Sequence, residues 1–307
     1  MMASKKSLPE GFTGPTALPQ NIEQARQWQE ANRLWWESHP MRYDWKEEVS
    51  FEEFTKEFYR EIDKRFFSEV EEYMPWKKIP FDFLIDFDSL RSKDVLEIGV
   101  GNGSHTELLA QYARSLTGID ITDYAVKSTS QRMRCFGIRA TIIRMDAEHM
   151  EFDDNTFDFI WTWGVIHHSS NTPQVLSEMR RVLRPGGRAI TMVYHRNFWY
   201  WYIMGGLFRG IFNGNLLRTK SIHKTTQLSM DGAIARFYSV SEWRTVVSEF
   251  FRLERILVFG SKSHLIPLPN GNINKAVALL LPNRLCHFIA NRCKLGGFLV
   301  SILRKNT

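Results

Sequence analysis

Apolar positions in the first quarter of the chain recur at helical spacing. From Asn21 to about Trp76 the sequence is rich in Glu, Lys, Trp and Phe. Phe51, Phe54, Phe58, Ile62 and Phe66 fall at steps of three and four residues, which places them on one face of a helix. These aromatics read as core. Beyond residue 90 the period changes. Asp94–Val100 (DVLEIGV) is a short apolar run ending in glycines, and HTELLAQYARSL after it is helical. SLTGID (Ser115–Asp120) is a second strand, with a helical stretch to about Phe136. RATIIRMD is a third strand, FDFIWTW a fourth and RAITMVY a fifth. Before the fifth, PQVLSEMRRVL carries Val175, Met179, Val182 and Leu183 on one side and is stopped by Pro185-Gly186-Gly187. Strands alternating with helices predict βαβ units, a mostly parallel sheet and ligands at the carboxyl ends of its strands.

After His195 the alternation breaks. Residues 197–238 open with the aromatic cluster FWYWYIMGGLF and continue through a polar stretch with several Lys, His and Thr. Alternation resumes with the helix SVSEWRTVVSEFF, which starts at a capping box on Ser239 or Ser241, and the strand LERILVF. A Pro/Gly/Asn loop, the helix PNRLCHFIANRCK and a final strand GFLVSILRK complete the chain. The predicted organisation is a flexible tail (1–20), a helical extension (21–90), a core (91–196), an insertion (197–238) and the remainder of the core (239–307).

Composition narrows the class. With 307 residues the chain buries a sizeable core, as one elaborated domain or two small ones. A net charge of +6 is mildly basic and not the footprint of a dedicated nucleic-acid binder. Cys135, Cys286 and Cys293 have no metal-ligand spacing and read as free thiols of a reducing cytosol. The segment MMASKKSLPEGF has no apolar run of the signal-peptide kind, and Phe198–Phe208, the longest apolar stretch, is too short to span a bilayer. A cytoplasmic protein, with surface contact to a membrane as an option, is the expectation.

The chemistry starts at Glu97-Ile98-Gly99-Val100-Gly101-Asn102-Gly103. Glycines at alternate positions directly after a strand let the backbone turn tightly and approach a ligand. Ser104 stands where a dinucleotide fingerprint would need its third glycine, so that fingerprint fails. Glu97 would repel a pyrophosphate but suits an ammonium or sulfonium group. Asp120 closes the second strand, where a carboxylate accepts from ribose hydroxyls, and Asp146-Ala147 closes the third, where an adenine amino group is read.

These residues resemble the motifs of class I methyltransferases, most of all the ubiquinone/menaquinone-biosynthesis C-methyltransferase-like group. The resemblance rests on the E-x-G-x-G-x-G loop, FDFIWTWGVIHH and LRPGG, and covers about residues 92–196 well and 239–307 loosely. It implies a Rossmann-like α/β fold, a seven-stranded sheet with an antiparallel last strand, and S-adenosyl-L-methionine as cofactor. By position, Glu97 would face the methionine amino end, with Gly99, Gly101 and Gly103 beside the cofactor. Asp120 would hold the ribose, Ile121 would lie on the adenine, Asp146 with Ala147 would face its amino group, and Trp163 would belong to the same site. The segment Trp35-Trp36…Pro40-Met41-Arg42-Tyr43-Asp44-Trp45 looks like the pre-core segment of related enzymes, which makes Tyr43 the candidate cofactor cap.

Methyl transfer from a sulfonium asks mainly for in-line positioning and desolvation. Where the acceptor must lose a proton, His167 of the His167-His168 pair is the first candidate base and His195 the second, unless both only pack. No metal site is expected. Aromatic density in 197–238 followed by Gly205-Gly206 suggests a mobile lid or apolar pocket wall, hence a small lipophilic or aromatic acceptor, or else an inert packed cap. The same patch with Arg209, Arg218, Lys220 and Lys224 would suit peripheral membrane contact through 198–224. No nucleic-acid partner is expected. The competing readings are an RNA or protein methyltransferase and a non-catalytic cofactor-binding protein. Trp161-Thr162-Trp163-Gly164, in place of the Asn-Pro-Pro-Phe type motif, argues against the first. The intact loop and acidic set argue against the second.

Overall fold

Asn21 begins the first helix: its side chain accepts from the Gln24 amide, and α1 runs over Ile22–Ser38. Thr55 caps α2 (Lys56–Tyr73) in the same way through the Phe58 amide. The single helical stretch predicted over 21–76 is therefore two helices. Pro40 forces the break, since it disfavours the helical conformation at His39, whose backbone is already out of the α region. Phe51 and Phe54 precede α2, and Phe51 is exposed. The buried face is Phe58, Tyr59, Ile62, Phe66, Val70 and Tyr73. The computed structural model describes residues 7–44, 48–212, 214–266 and 272–306; Trp45 and the side chain of Arg209 lie outside the described residues.

Residues 7–20, read as a flexible tail, are held against the body of the protein. Phe12 is buried edge-on against Trp28 of α1, and the Trp28 indole donates to the Glu10 carbonyl (2.8 Å). The Pro15 carbonyl accepts from the Phe237 amide (2.9 Å), and the Ala17 carbonyl from the buried Arg236 guanidinium (2.9 Å). Proline and glycine remove helical periodicity here without removing packing.

From residue 94 strands and helices alternate as expected. β1 (Asp94–Ile98), α3 (Ser104–Ala110), β2 (Ser115–Asp120), α4 (Asp123–Phe136), β3 (Thr141–Arg144), β4 (Phe157–Trp163), α5 (Thr172–Val182) and β5 (Leu183–His195) form the first half. A π-helical segment (Phe198–Phe208) then leads through α6 (Arg209–Phe212), α7 (Asn215–Thr219) and α8 (Ile222–Leu228) to the two-residue β6 (Phe237–Tyr238). α9 (Val240–Ser248) carries the predicted capping box on Ser239 and Glu242. β7 (Arg252–Phe259), α10 (Asn272–Leu280), α11 (Asn283–His287) and β8 (Phe298–Arg304) follow.

The sheet order is β3-β2-β1-β4-β5-β8-β7, with β8 antiparallel to both its neighbours. This is the seven-stranded Rossmann-like sheet with an antiparallel last strand, to which β6 adds a short parallel pairing beside β5. Alternation along the strands splits the core. Leu96, Ile98 and Ile160 join Val175, Met179 and Trp243 on one face. Val95, Phe159 and Trp161 meet Phe66, Tyr73 and Phe81 on the other. Strand order reverses between β1 and β4, which opens a crevice at their carboxyl ends.

Gly205 and Gly206, read with the aromatic run before them as a mobile lid or apolar pocket wall, pack tightly on α8. A Cβ on Gly206 would lie 2.6 Å from a side-chain carbon of Ile222. Trp201 in the same turn is buried on Ala235 and Phe237.

Candidate active site

A cavity of about 1180 Å³ fills the crevice, and the glycine loop forms one end of it. Gly99 and Gly101 both have positive φ, 81° and 53°, a region most side chains avoid. A Cβ on Gly99 would strike Val165 at 2.2 Å, whereas one on Gly101 would meet nothing within 4 Å and would project into open space. The loop is anchored from behind. Thr129 Oγ1 donates to the Gly101 carbonyl (3.0 Å), and Asn102 Nδ2 donates to the Met41 carbonyl (2.6 Å). The buried Arg132 guanidinium is paired with Asp63 (2.5 Å) and Glu107 (2.8 Å) and donates to the Asn102 carbonyl (3.3 Å). With its backbone over-determined in this way, the cradle is rigid before any ligand arrives.

The acidic strand ends converge on the cavity. Asp120 accepts from the Thr122 amide (3.0 Å) and hydroxyl (2.8 Å), and its other oxygen from the Gly101 amide (3.3 Å). Asp146 accepts from Gln29 Nε2 (2.8 Å) and from the Glu148 amide (2.9 Å). Burial raises the pKa of both carboxyls. Ile121 and Ala147 lie beside them in the wall. Glu97 does not reach the cavity surface. Its Oε2 accepts from Thr106 Oγ1 (2.6 Å), its Oε1 has no hydrogen-bond partner, and His105 stands at 3.7 Å as the residue that lines the cavity there. Burial pushes the Glu97 carboxyl up to about 8 and the His105 imidazole down to about 3. Two buried polar groups with unmet atoms, Glu97 Oε1 and His105 Nε2, thus sit next to the loop. Such groups are stabilised by a polar or cationic ligand.

Aromatic side chains complete the wall. Tyr43 and Trp163 both line the cavity, and Trp163 stacks on Trp161 with centroids 5.2 Å apart. Tyr194, Tyr200, Met192, Met230 and Phe298 extend the wall away from the glycine loop.

The two predicted catalytic histidines are not in this wall. His167 is fully buried against Tyr194, ring centroids 4.0 Å apart, with neither nitrogen hydrogen-bonded. Burial holds its pKa well below the usual imidazole range, which disfavours a base working near neutrality. His195 turns to the backbone, Nδ1 against the Gly296 carbonyl at 2.7 Å. The adjacent His168 does line the cavity, with Nδ1 on the Ile234 carbonyl (2.8 Å).

Sequence reasoning missed His264. It sits in the short turn after β7, its ring tilted against Tyr200 with centroids 4.5 Å apart, and its Nδ1 accepts from the Gly297 amide (3.2 Å). With Nδ1 committed as acceptor, the neutral ring carries its proton on Nε2. Gln29 and Asp231 were missed as well; both line the cavity. The sequence carried no signal for Gln29, which stands among the other polar residues of α1.

Residues 96–191 match the methyltransferase domain family, and this core is a class I S-adenosylmethionine-dependent methyltransferase domain. Among similar proteins, the phthiotriol/phenolphthiotriol dimycocerosates methyltransferase of Mycobacterium tuberculosis is 35% identical over 32% of this chain and 36% of its own length. The ubiquinone/menaquinone biosynthesis C-methyltransferase of Idiomarina loihiensis is 32% identical over 39% of this chain and 49% of its own length. The sterol 4-C-methyltransferase of Caenorhabditis elegans is 32% identical over 31% of this chain and 29% of its own length. The match thus spans half or less of each of these relatives. A solved S-adenosylmethionine-dependent methyltransferase from Methanosarcina mazei superposes with a TM-score of 0.48 at 20% identity, over 70% of this chain and 93% of that one.

Proposed function

We propose that this protein is an S-adenosylmethionine-dependent methyltransferase acting on a small lipophilic acceptor. The observation that carries the reading is one cavity whose lining joins the glycine loop, Asp120 and Asp146 to Tyr194, Tyr200, Phe298, Met192 and Met230. The residues fit the cofactor. Gly101 leaves room for it, Asp120 offers acceptors for ribose hydroxyls, Asp146 an acceptor for the adenine amino group, and Ile121 an apolar face for the ring. The unmet Glu97 and His105 atoms lie where the methionine amino end belongs, with His105 nearer the cavity. Trp163 and Tyr43 line the same cavity.

When bound, the cofactor supplies a methyl group already activated on a sulfonium. The protein's share is to fix the acceptor in line with it and to exclude water. Tyr194, Tyr200 and Phe298 do the second, with His264 beside Tyr200 in the same wall. The three relatives are named for phthiotriol dimycocerosates, ubiquinone or menaquinone, and a sterol, which supports an apolar acceptor here. The test is methyl transfer from radiolabelled S-adenosylmethionine to a panel of prenyl quinols, sterols and polyketide-derived phenols, run beside total RNA. Label in an organic-soluble product is the expected result; label in RNA alone overturns the reading.

A further inference from the structure

Two segments of the chain contain no acidic residue. Residues 197–230 hold Arg209, Arg218, Lys220 and Lys224, and residues 255–307 hold eight Lys or Arg, with no Asp or Glu in either. Of the 40 Lys and Arg in the chain, 28 remain elsewhere against all 34 Asp and Glu. The mild overall excess therefore conceals a division: +12 in two segments, −6 in the rest.

The fold brings these segments together at the cavity. Both leave or enter the sheet at the same end, after His195 of β5, after Phe259 of β7 and before Phe298 of β8. Asn197 Nδ2 donates to the Leu295 (3.2 Å) and Gly296 (2.9 Å) carbonyls, and Lys262 Nζ donates to the Ala278 carbonyl of α10 (2.9 Å). A few cations lie elsewhere, among them Arg304, paired with Glu254, and Lys305, held on the Asn155 side chain. Arg218, Lys220, Lys224, Arg284, Arg292 and Lys294 are exposed.

The same two segments carry bare apolar side chains. Leu217, Leu279 and Leu280 are 82–85% exposed, and Ile211, Ile273, Phe198 and Phe288 are more than half exposed. Leu279 is at once bare and part of the cavity wall, so the cavity reaches the surface beside α10. Exposed apolar groups interspersed with exposed cations, on two segments that themselves carry no carboxylate, match a bilayer surface that bears anionic head groups. An RNA would leave the leucines without a partner. A two-fold dimer through this face would set like charge against like.

We propose that this face docks on an anionic phospholipid bilayer and draws its acceptor from it. The purpose assigned to the docking rests on the lipophilic-acceptor reading; the docking itself rests on charge and exposure. No helix among the described residues is long and apolar enough to cross a membrane, so the contact is with the surface.

The experiment is co-sedimentation of the full chain with phosphatidylcholine vesicles, with and without phosphatidylglycerol, at low and high salt. Anionic lipid should raise the bound fraction by roughly tenfold, and salt should reverse the gain. The exposed-site variant Leu217→Glu/Ile273→Glu/Leu280→Glu should lose roughly tenfold or more of that binding. Leu34→Glu on α1 is the control and should bind as wild type. Calorimetry with S-adenosylhomocysteine reads the cofactor site separately, so failure of the functional reading is seen independently of failure to dock. Wild-type protein that ignores anionic vesicles, or a triple variant that binds them as well as wild type, overturns the proposal. So does a concentration-dependent dimer that the triple variant abolishes without any vesicle binding, since the face would then belong to a second copy.

Discussion

Gln29 of the first helix donates to Asp146 at the end of β3, and its own carbonyl oxygen accepts from the Ser170 amide at 2.9 Å. One side chain thus ties the N-terminal extension to two loops of the core. It also holds the Asp146 carboxylate in the orientation that faces the cavity. Gln29→Ala should raise the S-adenosylhomocysteine Kd by about fivefold, the equivalent of one modest hydrogen bond of roughly 1 kcal/mol. Calorimetry checks it, and an unchanged Kd would mean that Asp146 is positioned by its turn alone.

Asp120 should matter more. It collects three donors from its own neighbourhood and still lines the cavity. Asp120→Ala removes the acceptor and leaves the Gly101 and Thr122 donors unmet, which should weaken S-adenosylhomocysteine binding by roughly 1–3 kcal/mol. If NAD bound in preference to S-adenosylhomocysteine in the wild type, the cofactor assignment itself would fall.

The Glu97 carboxyl gives the cofactor site a pH dependence. In the free protein burial raises its pKa to about 8, so near neutrality it is largely protonated. An ammonium group bound at the cavity wall, with His105 between them, still favours the ionised form, so binding should release a proton and tighten as pH rises from roughly 6 toward 8. Stability runs the other way. A carboxyl whose folded pKa lies above its unfolded one supports the fold below the unfolded value and loses that support as pH rises through about 8. Glu97→Gln should therefore raise the melting temperature of the free protein near pH 7.5 while lowering ligand affinity and abolishing the pH slope. Titrations in buffers of different ionisation enthalpy count the proton.

The core and the cofactor end were legible because each rested on local pattern. Val95 and Leu96 alternate between the two faces of the sheet, and Gly99, Gly101, Asp120 and Asp146 stand at strand ends that the pattern itself locates. The acceptor end was not legible, because it is assembled by packing between distant segments. His264 meets Tyr200 across more than sixty positions of sequence. Conversely, His167 looked chemical beside a strand end, yet one residue separates a buried imidazole from His168, which reaches the cavity. Helical spacing over-extended the N-terminal helix because periodicity does not register Pro40.

The histidines separate under mutation. His264→Ala removes part of the wall beside Tyr200 and should lower kcat/KM for the preferred acceptor by roughly tenfold while leaving S-adenosylhomocysteine affinity unchanged. His167→Leu should stay within a few-fold of wild type in turnover, since the ring lies behind Tyr194 with no proton to give or take near pH 7. A drop of two orders of magnitude in His167→Leu, with intact folding, would restore it as the base.

The aromatic segment after β5 divides into core and surface, and the two halves should answer differently. Trp201 is 2% exposed and packs on Phe237 with centroids 4.5 Å apart, whereas Phe198, three residues earlier, is 70% exposed. Trp201→Ser leaves a large void and buries a hydroxyl with no partner. It should cost roughly 3–5 kcal/mol, which for a chain of this size lowers the melting temperature by about 5–15 °C. Phe198→Ser removes no packed surface and should change stability by less than about 0.5 kcal/mol. It lies in an acid-free segment at the cavity end, so it should weaken capture by anionic vesicles while the melting curve stays put. A Phe198→Ser protein that melts early would place this ring in the core. A Trp201→Ser protein as stable as wild type would mean that the segment does not seal the sheet edge at all, and the division between its two halves would fail.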